Sequence, residues 1–146
     1  MSNIDIRPAR RGDFGAVTSL LSGAGLPVED LSGECMADFL LASSEGSLAG
    51  VIGLEPFAQA GLLRSLVVAP DSRAEGVGRR LVAALEAHAR RRGLTELWLL
   101  TIDADRYFAG LGYRAKERHE APPAIRDTAE FALLCPGTAT LMHKNL

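Results

Sequence analysis

The chain has few cysteines and aromatic residues, and it lacks any long apolar run. Cys35 and Cys135 are far apart and form no C-x-x-C pair, and the three histidines show no metal-ligand spacing. We therefore expect no metal site, and two free thiols in a reducing compartment. Apolar runs such as 39–42 and 97–100 are far too short to cross a bilayer, and the N-terminus lacks the apolar core of a signal peptide. These absences favour a cytoplasmic protein without a membrane partner.

An excess of charge of one sign is also missing. The formal net charge is -2 and the isoelectric point is near 5.9, which argues against a general binder of polyanions. The basic triplet 90–92 has a local explanation, because it falls in the last turn of a predicted helix that Gly93 ends. We expect no nucleic-acid partner.

What is present is enough apolar sequence for one core. With 146 residues, of which 47% are hydrophobic, the chain has the length of one domain, and no repeat, linker or low-complexity segment divides residues 1–146. Strand-like and helix-like segments alternate along it. This order predicts a single α/β (α+β) domain with a mixed sheet.

Hydrophobic periodicity and turn signals predict the individual elements. Asp13 is expected to cap the first helix, and Gln59-Ala60-Gly61 to form a turn. The predicted helix 78–92 has one apolar face. Arg79, Arg80 and Glu86 lie outside this face and are expected to contact solvent or a ligand. Strands are predicted at 4–8, 39–43, 48–57, 62–68, 96–101, 113–117 and 138–143, and helices at 13–24, weakly at 28–38, at 78–92, at 104–111 and from Pro122 or Pro123 to about Phe131.

The most informative segment is the glycine loop at 73–78, between the predicted strand 62–68 and the helix 78–92. Backbone N–H groups at a helix start lack intrahelical partners, and the helix dipole favours negative charge there, so the loop suits a phosphate or pyrophosphate. Gly76 and Gly78 lack a Cβ, which lets a ligand approach the backbone closely. Two rival motifs do not fit: a dinucleotide-binding loop needs glycine where Leu81 stands, and the Gly-Lys-Ser/Thr of a P-loop occurs nowhere in the chain.

The segment "LLRSLVVAPDSRAEGVGRRLVAALEAHARRRG" contains the R-x-x-G-x-G signature and resembles the GNAT family of acetyl-CoA-dependent N-acetyltransferases. Two further segments, "LWLLTIDADRYFAGLGY" and "IDIRPARRGD", are similar to other blocks of that family. The resemblance implies a GNAT fold, with a mostly antiparallel sheet of six to seven strands that is splayed at the acetyl-CoA site. It also implies acetyl transfer from acetyl-CoA, the cosubstrate, to the primary amine of a small molecule.

The resemblance assigns cofactor-binding residues to three places. The strand before the loop would hold the pantetheine arm, and a backbone N–H of Val67 or Val68 would stabilise the tetrahedral oxyanion. The backbone N–H groups of the loop would bind pyrophosphate, and Arg73 and Arg80 would add positive charge. Arg80 fits equally well as a helix residue whose side chain is in solvent. Thr101 stands where the family usually has Asn. The residues assigned in this way are Leu66, Val67, Val68, Arg73, Ala74, Glu75, Gly76, Val77, Gly78, Arg79, Arg80 and Thr101.

The catalytic residues are less clearly indicated. Many family members place a Tyr acid where this chain has Phe108, and Tyr107 is one residue, or about 100°, away around a helix. Tyr107 is therefore a candidate acid or a packing residue, and a thiol of pKa near 8.5 is a tolerable leaving group without full protonation. Glu55, at the end of a strand beside the expected cleft, is the candidate general base or a solvated strand-end residue.

Arg64 and Ser65 are the candidate acceptor-binding residues, since one of two adjacent strand residues must face the cleft. Arg64 would grip an anionic group bidentately, or would lie on the opposite face with its head in water. The segments around the loop and the tail "APPAIRDTAEFALLCPGTATLMHK" also resemble arsenic-resistance N-acetyltransferases. That resemblance implies a glutamate-like organoarsenical or phosphinic amino acid as acceptor, with Arg126 as a second anion-binding candidate.

Other acceptors stay open, namely another small amine, an antibiotic or a protein N-terminus. A non-catalytic acyl-CoA-binding module also stays open, because the usual Tyr and Asn are missing. The chain is expected to be a monomer or a homodimer, and the sequence indicates no interface.

Overall fold

The computed structural model describes residues 4–129, 131–132 and 139–146, and for residues 73–75 the backbone alone. Its centre is a seven-stranded open sheet in the order β1-β2-β3-β4-β5-β7-β6. All neighbouring strands are antiparallel except β4 and β5, which are parallel. The expected mixed, mostly antiparallel α/β fold is confirmed. The strands are β1 (Ile4–Pro8), β2 (Phe39–Ser44), β3 (Ser47–Phe57), β4 (Ala60–Val68), β5 (Glu96–Thr101), β6 (Arg114–Lys116) and β7 (Thr140–Asn145).

Helices cover both faces of this sheet. On one face, α2 buries Leu81 and Leu85 against β2, β3 and β4. On the other face, α1 buries Val17 and Leu21, and α4 buries Ile125 in a separate cluster around Trp98. The helices are α1 (Phe14–Gly23), α2 (Val77–Arg91), α3 (Asp105–Ala109) and α4 (Pro123–Arg126), and short 3-10 turns occur at Arg11–Asp13, Gly33–Asp38, Pro70–Glu75 and Arg118–Glu120.

Two expectations about α1 and α2 were wrong. Asp13 does not cap α1 with its side chain, because its carboxylate accepts hydrogen bonds from the Arg7 guanidinium at 3.0 Å and the Arg10 N–H at 2.8 Å. Glu86 does not face solvent. It is 8% exposed, and its Oε2 accepts hydrogen bonds from the Tyr113 hydroxyl and the Lys144 ammonium, both at 2.9 Å. A buried carboxylate with two such donors is satisfied and ties α2 to the C-terminal strand.

Several element bounds also differ. The weak helix predicted at 28–38 is a 3-10 turn at Gly33–Asp38, and the turn expected at 59–61 lies earlier, because β4 already begins at Ala60. The late helix begins at Pro123 as predicted, and α4 ends at Arg126, after which the Thr128 hydroxyl donates to the Ile125 carbonyl at 2.7 Å. Residues 129 and 131–132 are helical again, so the predicted end near Phe131 agrees in part. Within the described residues, no helix is both long and apolar enough to span a membrane.

Candidate functional site

A cleft opens where β4 and β5 separate. The two strands pair only through 60–62 and 96–98, although β4 continues to Val68 and β5 to Thr101. Beyond that point their edges diverge and bound a cavity of about 540 Å³. The described lining residues come from the end of α1, from β4, from β5 and from α3, and they are Ala24, Gly25, Leu26, Pro27, Leu63, Arg64, Ser65, Leu66, Leu99, Leu100, Thr101, Ile102, Asp103, Ala104, Tyr107, Phe108 and Ala139.

A β-bulge shapes the β4 wall of this cleft. Val67 pairs with Val51, but Arg64 pairs with Gly53, so β4 carries one residue more than β3 between these pairs. Ser65 adopts a left-handed conformation with φ of 62°, a strained backbone for a residue with a Cβ. The bulge breaks strand alternation, and both Arg64 and Ser65 line the cleft although alternation predicts only one of them.

The backbone of β4 above the bulge presents peptide groups to the cleft. The Ala69 N–H donates to the Ala49 carbonyl at 2.7 Å. This hydrogen bond shows which residues of β4 direct their peptide groups towards β3. In an antiparallel ladder adjacent residues alternate, so above the bulge the peptide groups of Val67 point to β3 while those of Val68 point to the open side. Of the two N–H groups predicted for the oxyanion, the ladder therefore directs that of Val68 towards the cleft.

The glycine loop follows β4 directly and enters α2. Gly76 has φ of 72° and ψ of 20° and is the N-cap residue of α2, and a Cβ on it would meet only open space. The N–H groups of the first turn of α2 have no acceptor within the helix, so they can donate hydrogen bonds to an anion. A Cβ on Gly78 would lie 2.7 Å from the Tyr107 hydroxyl oxygen. The loop thus has the donors and the steric space that a diphosphate needs, and these residues fit acetyl-CoA.

The remaining predicted cofactor residues play different parts. Val77 is fully buried under the sheet, and Arg79 is exposed at the start of α2. Arg80 donates from Nη2 to the Ile4 carbonyl at 3.1 Å and so joins α2 to β1. Thr101 is buried at the end of β5, where its Oγ1 accepts the Ala104 N–H at 3.0 Å and shapes the turn into α3.

Tyr107 and Phe108 occupy distinct environments on α3. Phe108 is 5% exposed, with edge-to-face contacts to Tyr107 and Tyr113, and it belongs to the core. Tyr107 is 42% exposed, lines the cleft and lies over the start of α2. Burial of part of its ring raises the pKa of the Tyr107 hydroxyl, and the nearby positive charge of Arg79 partly opposes this. Tyr107 is thus the phenol at the cofactor loop, although its sequence position is shifted.

Arg64 and Glu55 contact each other in a buried ion-pair cluster. Arg64 donates from Nη1 to Glu55 at 2.7 Å and from Nε to the Ser65 hydroxyl oxygen at 3.1 Å. It also donates from Nη1 and Nη2 to both carboxylate oxygens of Asp30, with 3.0 Å for the Nη2 bond. The guanidinium is therefore buried and paired, and the alternative of a head in water is wrong. Sequence reasoning missed Asp30, because it lies in a poorly patterned segment 34 positions from Arg64.

Arg126 and Cys35 are not among the described residues that line the cleft. Arg126 ends α4 and is exposed. Cys35 is a free, half-buried thiol whose Sγ donates to the Ser32 carbonyl at 3.0 Å, whereas Cys135 lies outside the described residues. Among the residues that the structure describes, no group of three or more His, Cys, Asp or Glu side chains is arranged to hold a metal ion.

Comparison with known proteins agrees with this fold and cleft. Residues 23–113 match the acetyltransferase (GNAT) family. An amino-acid acetyltransferase of Ralstonia nicotianae is 31% identical over 116 residues, 74% of this chain and 26% of that protein. An uncharacterized N-acetyltransferase of Chlorobaculum tepidum is 29% identical over 128 residues, 82% of this chain and 81% of that protein. The N-acetylglutamate synthase of Neisseria gonorrhoeae, solved with coenzyme A and N-acetyl-glutamate, superimposes with a TM-score of 0.85 at 23% identity, over 100% of this chain and 36% of that one.

The chain belongs to the GNAT acetyltransferase family, because the family match covers more than half of it. The predicted family and fold are confirmed. It spans about a quarter of the length of the Ralstonia relative, so what that complete protein does reaches this chain only as a proposal.

Proposed function

We propose that residues 1–146 act as one domain that transfers the acetyl group of acetyl-CoA to the primary amine of a small amino acid. The observation that carries the proposal is the cleft between β4 and β5, with the glycine loop near one end and the Arg64 cluster in its wall. Acetyl-CoA, when bound, supplies an activated thioester. The protein supplies the binding, the orientation and the proton transfers.

The described residues have distinct parts in this proposal. The N–H groups at the start of α2 bind the diphosphate, and the β4 edge at Leu66 and Val68 orients the thioester carbonyl and stabilises the oxyanion. Glu55 takes the proton from the incoming ammonium, directly or through water. Tyr107 donates a proton to the departing sulfur, because it lines the cleft together with Leu66 and its hydroxyl stays protonated at neutral pH.

Amino acids are the favoured acceptor class for two reasons. The Ralstonia relative is named an amino-acid acetyltransferase, and the gonococcal structure contains N-acetyl-glutamate. Among amino acids we propose a glutamate-like organoarsenical or phosphinic compound as a candidate, on the resemblance of the tail to arsenic-resistance N-acetyltransferases. Acetylation of its α-amine would convert a cation into a neutral amide and so abolish mimicry of glutamate.

An acceptor panel tests this proposal. The purified chain is given acetyl-CoA with L-glutamate, a phosphinic glutamate analogue, an arsinic glutamate analogue or a simple alkylamine, and the N-acetylated product is measured by mass spectrometry. The proposal expects product from at least one amino acid and a preference for the arsinic or phosphinic analogue. Product from the alkylamine alone would overturn the amino-acid assignment, and equal turnover of glutamate and its analogues would overturn the detoxification role.

A further inference from the structure

Asp30 occupies the side of Arg64 that is suited to a substrate carboxylate. Its two oxygens accept hydrogen bonds from Nη1 and Nη2, the bidentate arrangement in which a guanidinium binds any carboxylate. Arg64 is the single cation among the described residues that line the cleft. An acceptor with an anionic group therefore finds its natural partner already bound by a group of the protein.

The two carboxylates on Arg64 come from different kinds of structure. Glu55 lies on β3 and belongs to the sheet, whereas Asp30 lies on the segment 24–32, which connects α1 to the 3-10 turn at Gly33–Asp38. Residues 24–27 of this segment line the cleft. The Asp30 and Glu55 side chains are 20% and 27% exposed while that of Arg64 is 1% exposed, so both carboxylates reach solvent where the guanidinium does not. Asp30 is thus the partner that can leave without unfolding a strand.

We propose that Asp30 determines acceptor specificity by occupying the carboxylate subsite on Arg64, so that an acceptor binds by displacing it. The exchange replaces one carboxylate with another on the same guanidinium, and the charge of the cluster is unchanged. Acceptors without an α-carboxylate cannot make the exchange, and they leave Asp30 in place. This inference rests on the proposed acetylation of a small amino acid and names the part of that acceptor which the site selects.

The same geometry orders the acceptor for reaction. Asp30 and Glu55 both accept from Nη1 of Arg64, so their carboxylates lie side by side. An α-amino acid carries its ammonium one carbon away from its carboxylate. When its carboxylate takes the place of Asp30, its ammonium lies beside Glu55, the group proposed to receive the proton. Selection of the carboxylate and positioning of the amine are then one event.

The test compares Asp30→Asn with the matched variant Glu29→Gln, which removes the same charge from the neighbouring residue. Glu29 accepts the Val28 N–H at 3.1 Å, has no described contact with Arg64, and a glutamine can keep that bond. The acceptor probes are L-glutamate and its α-amide, isoglutamine, which lacks the α-carboxylate. Steady-state KM is measured for each probe and for acetyl-CoA, and binding of each probe is measured by calorimetry in the presence of CoA.

Asp30→Asn is expected to lower the KM and the dissociation constant of L-glutamate about fivefold or more, because the competing carboxylate is gone. The values for isoglutamine and acetyl-CoA should stay within about twofold, and Glu29→Gln should leave all of them unchanged. A glutamate affinity that is unchanged or weaker in Asp30→Asn overturns the inference, as does an equal gain for isoglutamine. Absence of turnover in the wild type, with glutamate still binding more tightly to Asp30→Asn, would overturn the proposed function and leave the inference standing.

Discussion

The hydroxyl oxygen of Tyr107 lies 2.7 Å from the position that a Cβ on Gly78 would occupy. The Tyr107 side chain on α3 therefore lies against the first turn of α2. It gives Gly78 a reason for being glycine that is independent of backbone angle, since the residue stands inside a helix and its φ is not positive. It also places the Tyr107 hydroxyl at the loop that is proposed to bind the diphosphate.

Replacement of Gly78 by alanine should impair cofactor binding without unfolding the protein. The added methyl group pushes the Tyr107 side chain away and narrows the approach to the helix start, so the KM for acetyl-CoA should rise about tenfold. The free energy of unfolding should change by less than about 1 kcal/mol, because Tyr107 can rotate into solvent and alanine favours a helix. Steady-state kinetics and chemical denaturation measure the two effects.

The matched control for this variant is Gly15→Ala. Gly15 is the second residue of α1 as Gly78 is of α2, and a Cβ there meets no atom within 4 Å. The control should keep the wild-type KM and gain slightly in stability. If both variants raise the KM for acetyl-CoA equally, the effect belongs to helix starts in general and the close approach of Tyr107 is irrelevant.

Replacement of Tyr107 by phenylalanine tests the proposed acid. The pKa of its hydroxyl is raised by burial, so the group carries its proton throughout the neutral range and can donate it. Loss of the hydroxyl should lower kcat about tenfold to a hundredfold and leave the KM for acetyl-CoA within about twofold. Equal kcat values for the variant and the wild type across neutral pH would remove Tyr107 from the chemistry and leave the sulfur to depart unprotonated.

Replacement of Glu55 by glutamine tests the proposed base. The glutamine oxygen can still accept the Arg64 hydrogen bond of 2.7 Å, so the cluster should stay folded. Turnover should fall most at neutral pH and recover as pH rises. At high pH the acceptor amine is already deprotonated, so no general base is needed. The control is Glu45→Gln, on the exposed β2–β3 turn, which should leave kcat unchanged. A pH–rate profile of Glu55→Gln that is identical to that of the wild type would exclude the base role.

The Arg7–Asp13 pair predicts a stability difference with a defined pH window. The Arg7 guanidinium, with the Arg10 N–H, lowers the pKa of the Asp13 carboxyl to about 2. Because the folded pKa is below the unfolded value, this stabilisation is complete above about pH 4 and is lost as pH falls towards about 2. Asp13→Asn should therefore cost about 1 kcal/mol at neutral pH and only a small part of that at about pH 2.

Chemical denaturation at the two pH values measures that difference. The control is Glu34→Gln, which breaks the exposed Arg11–Glu34 contact of 3.4 Å and should change stability at neither pH. A loss for Asp13→Asn that is the same at both pH values would show that the carboxylate charge is not its cause.

The local sequence pattern was enough to predict the strands and the glycine loop, because both depend on residues that are close together in the chain. Alternation located β1, the turn signal at 45–46 helped to locate β3, and a glycine loop between a strand and a helix led to the prediction of a phosphate site. The same reasoning failed at Glu86, whose partners Tyr113 and Lys144 come from distant parts of the chain. A charged residue next to a helix's apolar face is assigned to solvent unless its partners are known.

The acceptor side was harder to predict for the same physical reason. Arg64 was recognised as a candidate anion-binding residue, but its ion pair with Asp30 was missed because Asp30 has no local signal. The bulge at Ser65 also has no sequence signature of the usual kind, since a glycine is the common residue at positive φ. Only the pairing of β3 with β4 reveals that Arg64 and Ser65 share one cleft.

The most direct test of acetyl transfer at this cleft is thiol release from acetyl-CoA by the purified chain, measured with and without L-glutamate or its arsinic analogue. We predict that the amine accelerates thiol release and that each thiol is matched by one N-acetylated product molecule. Binding of acetyl-CoA without any acceleration by these amino acids would contradict the proposed reaction and leave the chain a GNAT domain that holds its cosubstrate without acetylating an amino acid.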